Sequence, residues 1–309
     1  MIRLGLCCIF RAAPIRFRTA TAAALLRHPQ PERLRRLAEL CLANAQALNQ
    51  AVRWCATHGI GAFRINSQIL PLITHPQVGY TLERLPDGST IESIFREVDT
   101  IRRRHDIRLT FHPDQFVLLN SPVERVVESS VAELEYQAVM AEWVGADVIN
   151  IHAGGVYGDK PAALTRLRKN LNRLSPRVRK RLTLENDDRC YSPADLLPIC
   201  REEGIPLCYD VHHHRCLGDA LSIETATAQA LATWDREPLF HISSPLGGWR
   251  AKNPRLHADY IRLADFPESW RSLVLTVEVE AKAKEPAVLR LARDLKAAGI
   301  EVHTPRPSG

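Results

Sequence analysis

Short runs of β-branched and other apolar residues alternate with longer amphipathic segments along most of the chain. Eight such runs predict strands, at residues 2–7, 62–66, 107–112, 147–152, 181–186, 206–211, 238–243 and 273–280. Between them, apolar residues recur at the spacing of amphipathic helices, and the segment after the seventh run, HADYIRLAD (257–265), predicts a short one. This alternation is typical of a parallel sheet covered by helices. Eight strand–helix units predict one closed (β/α)8 barrel, the TIM-barrel fold.

The ends of the predicted helices and the lack of linkers indicate the domain organisation. Ser89, with Glu92 three residues later, and Ser192 are candidate N-caps. Candidate C-caps are Gly59, Gly145, Gly204 and Gly299. No linker rich in Pro, Gly or Ser divides the sequence. We therefore expect a single catalytic barrel domain over residues 1–302 and a loose C-terminal tail over residues 303–309.

Composition narrows the class of protein. The 309 residues fit a barrel, and 45% hydrophobic with 25% charged residues indicate a globular protein with a full core. The formal charge of +6 and the pI near 9.0 are compatible with a nucleic acid partner. The eight cysteines form no CxxC pair and predict buried thiols. The sequence has no membrane-spanning run or signal-cleavage site, so we expect a cytoplasmic protein.

Candidate metal ligands fall at the carboxyl ends of the predicted strands, where a (β/α)8 barrel builds its active site. Each strand from the third to the eighth ends near a histidine or a carboxylate, although any of these taken singly could be structural. Together they predict a ring of ligands at the barrel mouth. The ring comprises His112, His152, Glu185, Asp210 with His213, His241 and Glu280, joined by His75 after the second strand and by His257 and Asp259 after the seventh.

So many imidazole and carboxylate groups exceed the need of one tetrahedral ion. We expect two or three divalent metal ions, with Mn²⁺ the first choice, Zn²⁺, Mg²⁺ or Co²⁺ as alternatives, and Glu185 as the bridging ligand. The residues assigned to catalysis are Glu185, Asp210, His241 and Glu280. Residues that could support these ligands or bind a phosphate, with an ordinary structural role as the alternative, are Asn66, Asn150, Asn186, His212, His214, Ser243 and Ser244.

Eight strings of this sequence resemble the UV damage endonuclease family, a barrel group similar to the abasic-site nuclease endonuclease IV. The resemblance runs from about residue 41 to residue 295. The strings are GIGAFRINSQILPLITHP (59–76), FHPDQFVLLNSP (111–122), INIHAGG (149–155), LTLENDD (182–188), YDVHHHR (209–215), HISSP (241–245), LHADYI (256–261) and VEAKAKEPAVLRL (279–291).

The resemblance implies a set of nine metal ligands that matches the strand-end set apart from Asp259. The nine are His75, His112, His152, Glu185, Asp210, His213, His241, His257 and Glu280. The resemblance also implies hydrolysis of the phosphodiester immediately 5′ to a UV photoproduct, a cyclobutane dimer or a 6-4 product, which leaves a 3′-hydroxyl. Abasic sites are a further expected substrate. The expected partner is damaged double-stranded DNA, bound by a monomer that needs no protein partner.

Several positions depart from the family pattern. Leu6 and Phe10 stand where the first strand usually carries Tyr and Asn, and Leu239 stands where a lysine usually precedes the strand-7 histidine. After strand 3, Gln115-Phe116 replaces the usual Gln-Tyr. We expect this pair to contact DNA, with the amide facing an orphaned base and the aromatic ring replacing lost stacking. The alternative for Phe116 is core packing.

Two other functions compete with DNA cleavage. A related barrel superfamily contains sugar isomerases that use two metals at the same end of the barrel. The basic pI, the Gln115-Phe116 loop and the surplus of histidines argue against that function. The other alternative is a barrel that binds damaged DNA without cutting it, which would require spoiled ligands, and none of the nine is substituted.

Overall fold

The computed structural model describes residues 1–306 and contains the eight predicted strands, all parallel. Each strand lies within its predicted run, and most are one or two residues shorter at an end. They are β1 (Ile2–Cys7), β2 (Ala62–Ile65), β3 (Arg108–Phe111), β4 (Val148–His152), β5 (Leu182–Glu185), β6 (Leu207–Cys208), β7 (Leu239–Ile242) and β8 (Leu275–Val279).

Helices return the chain between most of the strands. Their buried faces are apolar, as in α2, where Leu37, Cys41, Leu48, Val52 and Cys55 face inward at helical spacing. The helices are α1 (Ala22–Leu25), α2 (Gln30–Thr57), α3 (Gly88–His105), α4 (Glu124–Val144), α5 (Lys160–Leu171), α6 (Pro176–Arg179), α7 (Pro193–Glu203), α8 (Val211–Leu217), α9 (Ile223–Leu231) and α10 (Glu285–Ala297).

The strands form one sheet in the order β6-β5-β4-β3-β2-β1-β8-β7. The seam between β6 and β7 closes through a single bridge that pairs Asp210 with His241. There the backbone N–H of His241 donates to the Tyr209 carbonyl at 3.0 Å. The prediction of a (β/α)8 barrel is therefore confirmed, and two predicted site residues, Asp210 and His241, form the bridge that closes it.

The connection after β7 differs from the prediction. Residues 257–265 do not form a helix; the loop contains two short 3₁₀ turns, Leu263–Asp265 and Glu268–Trp270. Pro245, Pro254 and Pro267 punctuate this loop and oppose a continuous helix. Asp265 holds the loop together, since its carboxylate accepts from the Ser244 hydroxyl at 2.5 Å and from the Trp249 indole at 2.8 Å.

The predicted C-caps Gly145 and Gly204 are confirmed, whereas the C-caps of α2 and α10 are His58 and Ala298, one residue before the predicted Gly59 and Gly299. Ser192 caps α7 through a capping box with Asp195. Helix α3 begins at Gly88, one residue before the predicted cap Ser89, and its N-cap is Asp87. The glycine is required here because a Cβ at position 88 would lie 1.9 Å from the Leu82 carbonyl oxygen.

The C-terminal segment packs under the barrel as far as the structure describes it. Val302 bridges to Ile2, and the buried His303 donates its backbone N–H to the Ile2 carbonyl at 2.8 Å. The expectation of a loose tail is therefore wrong for residues 303–306, and residues 307–309 lie outside the described part. The domain boundary at residue 302 stays a prediction. Within residues 1–306, no helix has the length and hydrophobicity to cross a membrane.

Candidate active site

Glu185 lies at the centre of the barrel mouth and is shared by four histidines. It ends β5 and its side chain is buried. His112 Nε2 lies 2.9 Å from Oε2, and His152 Nε2 lies 3.9 Å from the same oxygen. The Nδ1 atoms of His213 and His241 lie 3.3 Å and 3.1 Å from Oε1. Because each carboxylate oxygen faces two imidazoles, the geometry suits a carboxylate that bridges two cations.

The strand register explains how this cluster forms. His152 is the register partner of Glu185 across β4 and β5, so the two side chains project from the same edge of the sheet. One layer below, Asn150 donates its amide to Glu185 Oε2 at 2.5 Å. The predicted hydrogen bond from Asn150 to a candidate ligand is therefore present, and its role in supporting a metal ligand stays a prediction.

The D-x-x-H spacing after β6 folds back on itself as one helical turn. Asp210 is the N-cap of α8, and its carboxylate accepts the backbone N–H of His213 at 2.8 Å. His213 Nδ1 also faces the Asn186 carbonyl at 3.0 Å. The capping interaction thus places both side chains of the pair beside Glu185, and the ligand atoms of all three lie within 4.8 Å of one another.

A second group of candidate ligands lies at the ends of β6, β7 and β8. Ligand atoms of Asp210, His241 and Glu280 lie within 4.8 Å of one another. Arg64 donates to Glu280 at 2.7 Å, and His257 Nδ1 lies 3.8 Å from Glu280. Burial raises the pKa of Glu280, but Arg64 and His241 outweigh this effect and hold the pKa well below its usual range.

The groups around Glu185 show the same balance between burial and nearby opposite charges. Burial raises the pKa of Glu185, but His241 and His152 outweigh burial and keep the pKa well below its usual range. Burial also opposes a charge on His213, yet Asp210 and Glu185 raise the pKa of this imidazole well above its ordinary value. These pKa directions favour the anionic forms of Glu185 and Glu280 and a protonated His213, whereas burial lowers the pKa of His152. A divalent cation could replace the proton on His213.

The donor set fits divalent metal ions. Two buried atoms of the cluster, Asp210 Oδ2 and His152 Nδ1, have no hydrogen-bond partner within residues 1–306. An unpartnered buried carboxylate oxygen is costly unless a cation or a donor faces it. Imidazole nitrogens and carboxylate oxygens are the ligands that Mn²⁺ and Zn²⁺ accept.

Seven of the nine predicted ligands belong to clusters whose ligand atoms lie within 4.8 Å of one another. The other two, His75 and His257, lie outside these clusters. His257 adjoins Glu280, as described above, and its ring centroid lies 6.3 Å from that of His213. His75 lies in the β2–α3 loop, where its Nδ1 accepts the Gln77 backbone N–H at 3.2 Å. The roles of His75 and His257 as ligands stay predictions. The side chain of Asp259, the extra candidate, is exposed.

The loop after β3 presents its aromatic residue to solvent. Phe116 is 76% exposed, and the adjacent Gln115 is also exposed. Phe116, Asp114 and His75 line a cavity of about 400 Å³ beside the mouth. The alternative that Phe116 is core packing is therefore wrong, and the loop is free to contact a ligand.

The two departures near the first strand are core positions. Leu6 and Phe10 are buried, and the Phe10 ring stacks on Phe63 with centroids 5.7 Å apart. Neither side chain is exposed at the barrel mouth. The third departure, Leu239, is fully buried against Val148 and Cys208.

Sequence reasoning missed two charged residues inside the barrel, Arg64 on β2 and Glu278 on β8. Glu278 is buried and contacts Arg64, Thr110 and His241. A signal was available, because a charged residue in the middle of a buried strand requires a partner. The sequence analysis considered only residues at the ends of the strands, so it missed charged residues in the strand interiors.

The fold and the site together define a class: a (β/α)8-barrel protein whose mouth gathers histidines around shared carboxylates. The chain belongs to the UV-endonuclease UvdE family, whose model matches residues 2–306. A Bacillus velezensis relative named UV DNA damage endonuclease is 33% identical over 302 residues, which cover 94% of this chain and 91% of the relative. The predicted family is confirmed.

Solved structures agree with this family. The crystal structure of SacUVDE matches with a TM-score of 0.86 and 28% identity, covering 97% of this chain and 100% of that chain. Endonuclease IV from Thermus thermophilus matches with a TM-score of 0.59 and 18% identity, covering 81% of this chain and 93% of that chain. The second likeness concerns the fold alone.

Proposed function

We propose that this protein is a metal-dependent DNA repair endonuclease that nicks the phosphodiester 5′ to UV photoproducts, including cyclobutane dimers and 6-4 products, and leaves a 3′-hydroxyl. Abasic sites are included as a further substrate. The observation that carries the proposal is the buried Glu185 shared by four histidines at the barrel mouth, in a chain that belongs to the UV-endonuclease family.

The residues of the mouth have distinct roles in this proposal. Glu185, Asp210, His241 and Glu280 hold two or three divalent ions, with Mn²⁺ the first choice. When bound, these ions supply Lewis-acid stabilisation of the phosphoryl oxygens and lower the pKa of a water molecule. Asn150 keeps the Glu185 carboxylate in its bridging orientation.

The substrate reaches the site through surfaces of suitable charge and shape. Arg11, Lys282 and Lys284 line a cavity of about 180 Å³ next to Glu280 and supply positive charge for the DNA backbone. On the other side of the mouth, exposed Phe116 and Gln115 fill the gap left when a damaged dinucleotide leaves the stack. No such aromatic residue is needed by a sugar isomerase, the alternative considered above.

The test combines metal content with nicking of supercoiled plasmid. After reconstitution with Mn²⁺, the wild-type protein should hold at least two ions per chain and nick UV-irradiated plasmid more than unirradiated plasmid. Glu185→Gln keeps the side-chain size but loses the bridging charge, so nicking should fall by at least about 100-fold. Glu202→Gln, on the exposed end of α7, is the matched control and should keep full activity. Fewer than two ions, or near wild-type nicking by folded Glu185→Gln, would contradict the proposal.

A further inference from the structure

A buried carboxylate with no assigned role lies in the layer below the metal ligands. Glu278 on β8 is two residues before Glu280, so both side chains project into the barrel from one strand. The Glu278 side chain is only 1% exposed. Burying a carboxylate is unfavourable by several kcal/mol unless partners offset the loss of hydration. Its partners therefore indicate what the group does.

Two of these partners fix the position of Glu278. Arg64 on β2 donates to Oε2 at 3.2 Å, and the hydroxyl of Thr110 on β3 donates to Oε1. Arg64 also donates to Glu280, so it connects the lower carboxylate to the ligand layer. Glu278 is thus held from both oxygens by groups that are not metal ligands.

The third partner is His241, the ligand on β7. The two residues are register partners across β7 and β8, which brings their side chains together inside the barrel. His241 Nε2 lies 3.0 Å from Glu278 Oε2, while Nδ1 faces Glu185 at 3.1 Å. Among residues 1–306 this close contact does not meet the geometry of a hydrogen bond, and Nε2 has no other hydrogen-bond partner.

Metal-ligating histidines commonly donate the second ring N–H to a carboxylate, which fixes the tautomer and the ring orientation. We propose that Glu278, held by Arg64 and Thr110, is a positioning residue that keeps the Nε2–H tautomer of His241 and so directs Nδ1 to the metal cluster. This inference rests on the metal site of the proposed function. It assigns a role to a residue outside the predicted ligand set.

Leu239 lies on β7 one layer below His241. Its side chain packs against Val148 and Cys208. The leucine offers no polar atom to orient His241 from below. Glu278, the register partner of His241 on β8, supplies the charged group beside the imidazole.

The test is a double-mutant cycle read by Mn²⁺ binding, with the free ion measured by electron paramagnetic resonance. Glu278→Gln removes the charge and leaves an amide that can present either oxygen or NH₂ to His241. Affinity for Mn²⁺ should fall by about 10–100-fold. In a His241→Ala background, the same substitution should change the affinity by less than about 3-fold, because its target is gone.

Two further variants complete the design. Thr110→Val removes one anchor of Glu278 and should weaken Mn²⁺ binding in the same direction by a smaller factor; it decides the question if Glu278→Gln does not fold. Glu237→Gln removes a paired carboxylate at the opposite end of the barrel, bound to Arg3, and should leave Mn²⁺ affinity unchanged.

Visible spectra of the Co²⁺-loaded protein add a readout that a structural role would not change. Glu278→Gln should shift the ligand-field bands, since the coordination of His241 changes, whereas Glu237→Gln should not. Unchanged affinity and spectrum in Glu278→Gln, or an equal loss of affinity with and without His241, would overturn the inference while the proposed function stands. A wild-type protein that binds no Mn²⁺ would overturn the metal site itself.

Discussion

Leu239 is a buried apolar residue directly beneath the candidate ligand His241. It lies on β7 two residues before His241 and pairs in register with Thr276. Its side chain has no exposed surface. A lysine there would place an ammonium group in the interior of the barrel, where a charge requires a nearby counter-charge. Glu278, one layer higher on β8, is the available carboxylate.

Leu239→Lys should therefore change the number of bound metal ions or the pH dependence of nicking, because the new ammonium competes with His241 for Glu278. Metal analysis and a pH–rate profile measure the two effects. Leu239→Met keeps the site apolar and of similar volume, so it should change neither. If Leu239→Lys also leaves both unchanged, position 239 contributes only packing.

The residues of the site show which part of it the sequence could predict. Glu185, Asp210 and Glu280 were predicted because they follow strands, and the carboxyl ends of parallel strands meet at one edge. Glu278 could not be found by that rule, because it belongs to a strand interior and its role depends on the register with β7. The sequence does not predict how close His75 lies to the other candidate ligands, because a long loop separates this residue from β2.

Among the elements, the strands were predicted well because each is a short buried run between helices of clear periodicity. The β7–β8 connection was predicted poorly, as its fold depends on side-chain hydrogen bonds to Asp265 that no periodic pattern records. The start of α3 was misplaced for a similar reason, because the close approach of Gly88 to Leu82 is a tertiary contact.

The loop after β3 gives a prediction at the scale of an element. Phe116→Ala should weaken binding to UV-irradiated duplex by about 5–150-fold, the equivalent of one lost stacking contact of about 1–3 kcal/mol. Binding to undamaged duplex should change less, since no gap is opened there. The melting temperature should stay constant because Phe116 is exposed. Fluorescence anisotropy with both duplexes measures these affinities.

Val274 provides the control for this loop. It is another exposed apolar side chain, and it precedes β8 at the end of the barrel opposite the mouth. Val274→Ala should alter neither affinity. An equal loss on damaged and undamaged duplex in Phe116→Ala would mean that damage is sensed elsewhere.

At the scale of the whole molecule, the two ends of the barrel have separate roles. The mouth gathers the candidate ligands, whereas ion pairs occupy the floor. There Arg3 binds Glu237 at 2.9 Å and lies 3.6 Å from Asp106, and His303 Nε2 lies 3.0 Å from Asp106. These contacts join β1, the end of α3 and the C-terminal segment. The floor therefore contributes to stability without contacting the site.

The floor predicts how stability depends on pH. Burial raises the pKa of Glu237, but hydrogen bonds from Arg3 and Thr276 outweigh it and keep the pKa below the ordinary value of 4.5. Because the folded-state pKa is the lower one, this stabilisation is present above the unfolded pKa and is lost as pH falls through the folded pKa. Glu237→Gln should lower the free energy of unfolding near pH 7 by about 1–3 kcal/mol.

The same variant should flatten the decline in stability between about pH 5 and pH 3, the range in which an unperturbed glutamate titrates. Urea unfolding at several pH values measures both effects. Glu301→Gln, whose side chain is 77% exposed, serves as the control and should follow the wild-type curve. A Glu237→Gln curve parallel to that of the wild type would contradict the role assigned to this ion pair.

The most direct test of the central claim maps the cut on a duplex with one defined cyclobutane dimer and a 5′-labelled damaged strand. With Mn²⁺ present, we expect one labelled product that ends immediately 5′ to the dimer and that a DNA polymerase can extend, because its end is a 3′-hydroxyl. The matched undamaged duplex should stay intact. Cleavage at a different position, an end that the polymerase cannot extend, or equal cleavage of the undamaged duplex would contradict the account.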